Sequence, residues 1–236
     1  FGDTWRSYAW EEAGATIVIT GAESSARNTQ TLYTSLRLDQ KHINLVMLHG
    51  QETPYAGGEG QDAEQIPLAL LQNKGIDYLA LGHIHTYKRG QLDARGIYVY
   101  PGCLEGRGFD ECGVHGFCLL EIDAAHHKIH DTFVPFASRR LWEASVDVSG
   151  CTSGVDVLTS VRETLQEMQV QSEDLVKVCL IGSLPAGVEV DAELLAMQLS
   201  QSFFYVKVVN RTVPEIDYAS YSYDTSLKGE FVRLVQ

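Results

Sequence analysis

The sequence lacks the features of membrane-spanning and disulfide-bonded chains. It has no apolar run of about 18 residues, the length that suggests a membrane-spanning helix. It does not open with a basic segment followed by an apolar one, the pattern of a secretory signal peptide. Its five cysteines are odd in number and include no CxxC pair, which is typical of a reducing cytoplasm. We therefore expect a cytoplasmic protein without membrane contact.

An excess of basic residues is also absent. The chain has 18 Lys and Arg residues against 31 Asp and Glu residues, a formal net charge of −13. The densest basic pairs are Lys88-Arg89 and Arg139-Arg140. This composition excludes nucleic-acid binding through a broad basic surface alone. Any phosphate-bearing substrate would need a bound metal ion to offset the acidic field, whereas most of the acidic residues are expected to form a solvated surface.

The remaining composition is that of a folded globular protein. The chain has 236 residues, of which 44% are hydrophobic and 21% charged, enough for one large or two small domains. In the first part, residues 1–138, β-branched or alternating patterns predict strands. The predicted strands cover residues 15–19, 31–38, 42–48 and 76–81, hairpins are predicted around residues 93–96 and 124–127, and a helix is predicted from Asp62 to Lys74.

The pattern changes near Arg139. Residues 139–210 predict the order strand, helix, strand, helix, strand, with helices over residues 155–169 and 191–202. In the first of these helices the apolar residues lie three or four positions apart and form one stripe. Residues 211–236 show no clear period and are treated as a C-terminal extension. The predicted fold class is α/β (α+β), with a boundary near residue 139.

Three histidines follow two of the buried strands. His49 comes directly after one strand, and His83 and His85 follow another. In covered α/β sheets, ligand sites lie just beyond the carboxyl ends of the strands. Neutral imidazole is the most common metal ligand in proteins. The sequence therefore predicts a metal site formed by these three histidines.

Two other sets of residues leave alternatives open. Cys103, Cys112, His115 and Cys118 could form a zinc site, but their wide first spacing and the apolar surroundings of Cys118 favour ordinary core or loop cysteines. His126, His127 and His130 lie at a predicted hairpin turn. They are expected to be exposed turn residues, with an adventitious metal site as the alternative.

Several segments resemble the calcineurin-like metallophosphoesterases, and among them the bacterial SbcD-type DNA repair exonucleases. The segments are Leu48-His49-Gly50, Gly82-His83-Ile84-His85, Tyr100-Pro101-Gly102 and the run from Gly106 to Glu111. The resemblance covers roughly residues 1–135. It implies a β-sandwich with flanking helices, a small βαβαβ capping domain and two divalent metal ions, commonly manganese. By position, His49 and His83 would bind one ion and His85 the other.

The earlier metal motifs of this family do not occur in the sequence, which contains no Asp-x-His and no Asn-His. The resemblance thus implies that the chain is the C-terminal part of such an enzyme, with the catalytic histidine and the bridging aspartate upstream. Two ions lying about 3.5–4 Å apart need anionic ligands, which three imidazoles do not supply. We expect the chain alone to be inactive.

The resemblance also implies a substrate and partners. It implies DNA as substrate and an SMC-like ATPase of the SbcC type as partner, contacted by the segment after Arg211. Glu105, Arg107 and His115 are candidate substrate-binding residues. An exposed sheet edge suggests self-association. A phosphoesterase for small molecules such as nucleotides, and a non-catalytic module that binds a partner, remain alternatives.

Overall fold

The computed structural model describes residues 1–25, 28–53, 65–215, 223 and 225–235. The chain divides into two compact units, Phe1–Arg140 and Leu141–Gln236. Of the predicted C-terminal extension, residues 216–222, 224 and 236 lie outside the described residues. Among the helices that are described, none has the length and apolar character needed to cross a membrane.

The first unit is rich in β-structure. Its elements, in chain order, are β1 (Arg6–Glu12), β2 (Ala15–Gly21), α1 (Thr29–Ser35), β3 (Ile43–His49), β4 (Gln51–Thr53), β5 (Gln65–Pro67), a 3-10 turn (Leu68–Leu70), β6 (Tyr78–Gly82), β7 (Lys88–Gln91), β8 (Ile97–Tyr100), β9 (Gly116–Asp123) and β10 (Lys128–Pro135).

A six-stranded sheet with the order β1-β2-β3-β6-β8-β7 forms the centre of this unit. The inner strands β2, β3, β6 and β8 are parallel, and the edge strands β1 and β7 are antiparallel to their neighbours. In the register of β3 and β6, Leu45 lies opposite Tyr78 and His49 opposite Gly82. The carboxyl ends of these two strands therefore meet at one edge of the sheet.

Both faces of the sheet are covered. The hairpin β9–β10 packs against one face, where Ile43, Leu45 and Tyr78 are buried. Helix α1 and the following loop pack against the other face, where Val46 and Leu79 are completely buried. Successive residues of β3 and β6 thus point to opposite faces, and because both faces are apolar these strands read as nearly continuous hydrophobic runs.

Two predictions in this unit are wrong. The strand expected over residues 31–38 overlaps helix α1, because the buried Leu32 and Leu36 are separated by one helical turn. The helix expected up to Lys74 is absent from residues 65–74, which form β5 and the 3-10 turn. Pro67 lacks the N–H that a helix interior requires, and β5 pairs with β4 instead. Its expected N-cap, Asp62, lies outside the described residues.

Strand β1 was missed by the sequence analysis. It forms a hairpin with β2 through Ala13 and Gly14, whose φ angles are 49° and 82°. Two consecutive positive φ angles are the signature of the tight turn that best matches the twist of a hairpin. The aromatic residues Tyr8 and Trp10, two positions apart before this turn, are the sequence signal that could have identified the strand.

The second unit has its main elements in the predicted order. They are β11 (Leu141–Asp147), α2 (Gly154–Glu167), β12 (Leu175–Ile181), β13 (Ser183–Leu184), α3 (Ala192–Leu199), β14 (Tyr205–Asn210), β15 (Val213–Pro214) and α4 (Leu227–Val235). Strands β11, β12 and β14 form a parallel sheet in that order. The predicted apolar stripe of α2 is confirmed in part: Val161 and Leu165 are buried in the core and Leu158 and Met168 pack against it. Val155, which the stripe also included, is exposed, and Val157 is buried instead.

Candidate metal centre

His49 and His83 lie side by side at the edge where β3 and β6 end. The centroids of their rings are 5.3 Å apart and the ring planes are inclined by 79°. Gly82 makes this approach possible, because a Cβ atom at that position would lie 2.9 Å from Nδ1 of His49. A residue with a side chain would therefore force the His49 ring to move. The local sequence His-Gly after β3 and Gly-His after β6 is what allows the pair to form.

The backbone of His83 adopts a conformation that residues other than glycine rarely adopt. Its φ angle is 97°, which costs on the order of 1–3 kcal/mol for a residue with a Cβ atom. Such strain persists only where the surrounding structure enforces it, and it is concentrated at functional sites. This observation marks the turn after β6 as part of a candidate site.

His85 belongs to a different group of side chains. Its Nδ1 lies 2.6 Å from Oε1 of Glu111, and a terminal nitrogen of the Arg107 guanidinium lies 2.8 Å from Nδ1 and 3.0 Å from Nε2. Potential ligand atoms of His85, Cys103 and Glu111 all lie within 4.8 Å of one another. We call these three residues the Cys–His–Glu cluster.

His115 forms hydrogen bonds with two members of this cluster, Glu111 and Cys103. It is only 3% exposed, and its Nε2 donates to the backbone carbonyl of Glu111 at 2.7 Å. Because a carbonyl only accepts, this bond places the proton of a neutral ring on Nε2 and leaves Nδ1 as the acceptor. Nδ1 lies 3.3 Å from Sγ of Cys103, so the thiol donates to His115.

The pKa values of the two acidic groups in the Cys–His–Glu cluster are shifted in opposite directions. The backbone N–H of Arg107, followed by His85, lowers the pKa of Glu111 to about 2, so this carboxylate is ionised at neutral pH. Burial, followed by the negative charge of Glu111, raises the pKa of the Cys103 thiol. The thiol therefore keeps its proton at neutral pH, although the positive charge of Arg107 acts in the opposite direction.

The three predicted histidine ligands are thus divided between two places. His49 and His83 form a pair, whereas His85 contacts Glu111 and Arg107. Among the residues that the structure describes, the group of three possible ligands with closely spaced donor atoms includes neither His49 nor His83. The assignment of these histidines as metal ligands stays a prediction.

Glu105 and Arg107, two of the candidate substrate-binding residues, lie in different surroundings. The carboxylate of Glu105 accepts from the backbone N–H and the hydroxyl of Ser138, at 2.9 and 2.8 Å. This contact anchors a loop. The guanidinium of Arg107 lies against His85 with its side chain 69% exposed. It is positioned to contact a ligand bound at the cluster, while a substrate role for buried His115 stays a prediction.

Within each of the two other candidate metal sets, the residues have different partners in the structure. Cys103 and His115 are in contact, but Cys112 is exposed, and the thiol of Cys118 contacts Tyr78. At the hairpin turn, His126 lies 2.7 Å from Asp123. His127 contacts Arg95.

The sequence analysis missed the association of Cys103 and Glu111 with His85. Cys103 follows Tyr100-Pro101-Gly102, and Gly102 has a φ angle of 80°. A Cβ atom on Gly102 would lie 2.6 Å from the carbonyl oxygen of His85. The glycine therefore lets the loop after β8 approach the loop after β6. A positive-φ glycine just before a cysteine was the available sequence signal.

Comparison with known proteins gives one informative similarity. No protein-family model matches the chain. The chain is 32% identical over 153 residues to the uncharacterized metallophosphoesterase YhaO of Bacillus subtilis (strain 168). The alignment covers 61% of this chain and 34% of that relative. The chain thus spans about a third of the length of the relative, and the similarity establishes distant homology to a metallophosphoesterase.

Proposed function

We propose that this chain contributes metal-binding residues to a metal-dependent phosphodiesterase. The observation that carries the proposal is the pairing of His49 with His83 at the carboxyl ends of two parallel strands, beside the strained backbone of His83. The distant homology to a metallophosphoesterase supports the same chemistry. The acidic charge of the chain is consistent with a metal ion as the phosphate-binding group.

The residues fit divalent ions in part. Imidazole nitrogen is a suitable ligand for zinc, nickel, copper and iron. The carboxylate of Glu111 accepts from Nδ1 of His85, an arrangement common behind metal-bound histidines. Binding of an ion to Nε2 would displace the guanidinium of Arg107, which lies 3.0 Å from that atom. In the described part of the chain, however, no carboxylate joins His49 and His83 in a three-ligand group. The family resemblance implies a bridging aspartate from an earlier motif, Asp-x-His, which this sequence does not contain.

The ions and the residues of the chain would have different chemical roles. Divalent ions at such a site neutralise phosphoryl oxygens and lower the pKa of bound water. His49 and His83 would hold one ion at the carboxyl ends of β3 and β6, and His85 would hold the other. The guanidinium of Arg107, above the ring of His85, binds a phosphate oxygen and orients the substrate.

A hydrolysis assay tests this proposal. Bis-p-nitrophenyl phosphate and manganese are added to the complete protein that contains this chain, to its His83→Ala variant and to a His126→Ala control in the exposed turn. We expect hydrolysis by the wild type and by the control, and a loss of nearly all activity in His83→Ala. An unaffected His83→Ala variant would overturn the proposal. Activity of the isolated chain that depends on His83 would refute only the expectation that this chain is inactive without the earlier metal motifs.

The more specific part of the proposal is that the substrate is DNA. The βαβαβ order of the second unit, which suggests a capping domain, favours a nuclease over a phosphoesterase for small molecules. We further propose an SMC-like ATPase of the SbcC type as partner, and self-association through exposed strand β1. Release of nucleotides from linear DNA, compared with hydrolysis of a nucleotide monoester, separates the two substrate classes. A complete protein with every motif and neither activity would favour the non-catalytic alternative.

A further inference from the structure

The geometry points to a binding site for a zinc-class transition-metal ion in the Cys–His–Glu cluster, with Cys103 as a thiolate ligand. The inference shares His85 with the proposed function, but it concerns metal identity and requires no hydrolysis. It differs from the manganese that the family resemblance implies. Thiolate and imidazole ligands favour zinc, whereas manganese favours oxygen ligands and water.

The spacing of the donor atoms suits a small tetrahedral ion. Bonds of about 2.0–2.3 Å to nitrogen, oxygen and sulfur place neighbouring donors about 3.3–3.6 Å apart. Sγ of Cys103 lies 3.8 Å from Oε2 of Glu111, and Nδ1 of His85 lies 2.6 Å from Oε1 of the same carboxylate. The second separation is shorter than this range because Nδ1–H of His85 donates to the ionised carboxylate. Nδ1 becomes a ligand once its proton has moved to Nε2 through solvent and the carboxylate has turned toward the ion.

Neighbouring groups can accept the thiol proton and complete the coordination of the ion. Binding of the ion to Cys103 replaces the S–H bond by a metal–sulfur bond and releases one proton. Nδ1 of His115, 3.3 Å from Sγ, is the nearest acceptor for that proton. Its Nε2 remains tied to the carbonyl of Glu111, so the ring does not need to turn. The remaining coordination position would be taken by water.

The ion also offsets negative charge in the cluster. Sγ of Cys103 lies 3.8 Å from the ionised carboxylate of Glu111, and an ion bound to both groups would stabilise the thiolate beside that carboxylate. The guanidinium of Arg107 currently lies against His85. Its side chain is 69% exposed and can swing into solvent, which leaves the ring nitrogens of His85 available.

Cobalt substitution tests the inference on the full chain. The protein is freed of metal under reducing conditions and titrated with Co²⁺, which shows a thiolate charge-transfer band in the near ultraviolet and intense visible bands in tetrahedral sites. We expect both signals in the wild type and in the matched control Cys112→Ser, whose cysteine is exposed. We expect the charge-transfer band to disappear in Cys103→Ser, and zinc affinity to fall about 10-fold or more in Glu111→Gln.

Competition identifies the metal class. A small excess of Zn²⁺ should displace Co²⁺, and the same excess of Mn²⁺ should not. Absence of the charge-transfer band in the wild type, its persistence in a folded Cys103→Ser variant, or equal displacement by Mn²⁺ would overturn the inference. Circular dichroism of each metal-free variant verifies folding. Manganese-dependent hydrolysis without a cobalt–thiolate band would overturn this inference alone, and cobalt binding without hydrolysis by the complete protein would overturn the proposed function alone.

Discussion

His49 lies directly opposite Gly82 in the pairing of β3 with β6, and a methyl group on Gly82 would come within 2.9 Å of Nδ1 of His49. We expect Gly82→Ala to displace the His49 ring from His83 and to weaken metal binding by the complete protein by about 10-fold or more, as loss of ligand support commonly does. Isothermal titration with Mn²⁺ measures the change.

Gly154→Ala is the matched control for this variant. Gly154 begins α2 in the second unit, and a Cβ atom there would have no neighbour within 4 Å. Metal affinity should therefore be unchanged. Equal affinities for the wild type, Gly82→Ala and Gly154→Ala would show that the pair of rings is not a metal site.

The strained backbone of His83 gives a second prediction. His83→Ala and His83→Gly both remove the imidazole ring, but only alanine retains a Cβ atom at the φ angle of 97°. We expect His83→Gly to be more stable than His83→Ala by about 1 kcal/mol. Urea unfolding at pH 7 measures this difference, and alanine being at least as stable as glycine would contradict it. Metal binding should be reduced in both variants.

Arg107 provides a third prediction, on substrate binding. If its guanidinium binds a phosphate oxygen, Arg107→Ala should lower kcat/KM of the complete protein about 10- to 100-fold, because a hydrogen bond between charged groups contributes about 1.5–3 kcal/mol. Arg107→Lys should recover part of the loss, since it keeps the charge without the planar fork. Values of kcat/KM that are equal across the three proteins would exclude a role for Arg107 in substrate binding.

A fourth prediction concerns the turn before β8. Asp93 accepts from the backbone N–H groups of Asn73, Arg95 and Gly96 at 2.6, 2.8 and 2.9 Å. Burial would raise its pKa, but these bonds hold the pKa below its ordinary value. We expect Asp93→Ala to lower the free energy of unfolding at pH 7 by about 2 kcal/mol.

The difference between wild type and Asp93→Ala should depend on pH in one direction. A lowered pKa in the folded state stabilises the protein fully above the unfolded value, about 3.9 for aspartate. The stabilisation is lost progressively as the pH falls from that value through the lower folded-state pKa, below which the carboxylate is protonated in both states. Urea unfolding at pH 7 and pH 3 tests this, and a constant difference at both values would refute it.

The sequence predicted the buried strands and the second unit well, and the loops poorly. β3 and β12 are apolar runs that only Asn44 and Lys177 interrupt before the strand ends, and the apolar stripe of α2 repeats at helical spacing. Local pattern alone therefore identifies these elements. Residues 31–38 alternate in polarity like a strand, yet Leu32 and Leu36 pack as a helical pair against the sheet. Tertiary packing overrode the local pattern there.

The candidate site was also predicted only in part from the sequence. Placing His49 and His83 at one edge of the sheet required only that β3 and β6 be parallel neighbours. Separating His85 from them depended on the loop after β8, whose path is set by Gly102 and by hydrogen bonds that Glu111 accepts from the backbone N–H of Arg107 and from His85. The contacts of Gly102 and Glu111 with His85 join residues distant in sequence, so the hydrophobic periodicity of the sequence does not reveal them.

Because β3 and β6 pair in parallel, metal binding at the candidate centre also depends on how far the sheet has folded. Parallel neighbours require a long crossover, so His49 and His83 approach each other only after that connection has closed. Any ion bound by the pair favours the closed chain over open forms by mass action. Metal uptake would then rise in step with the slow, long-range assembly of the sheet, and it would report on that assembly in refolding experiments before any catalysis is measured.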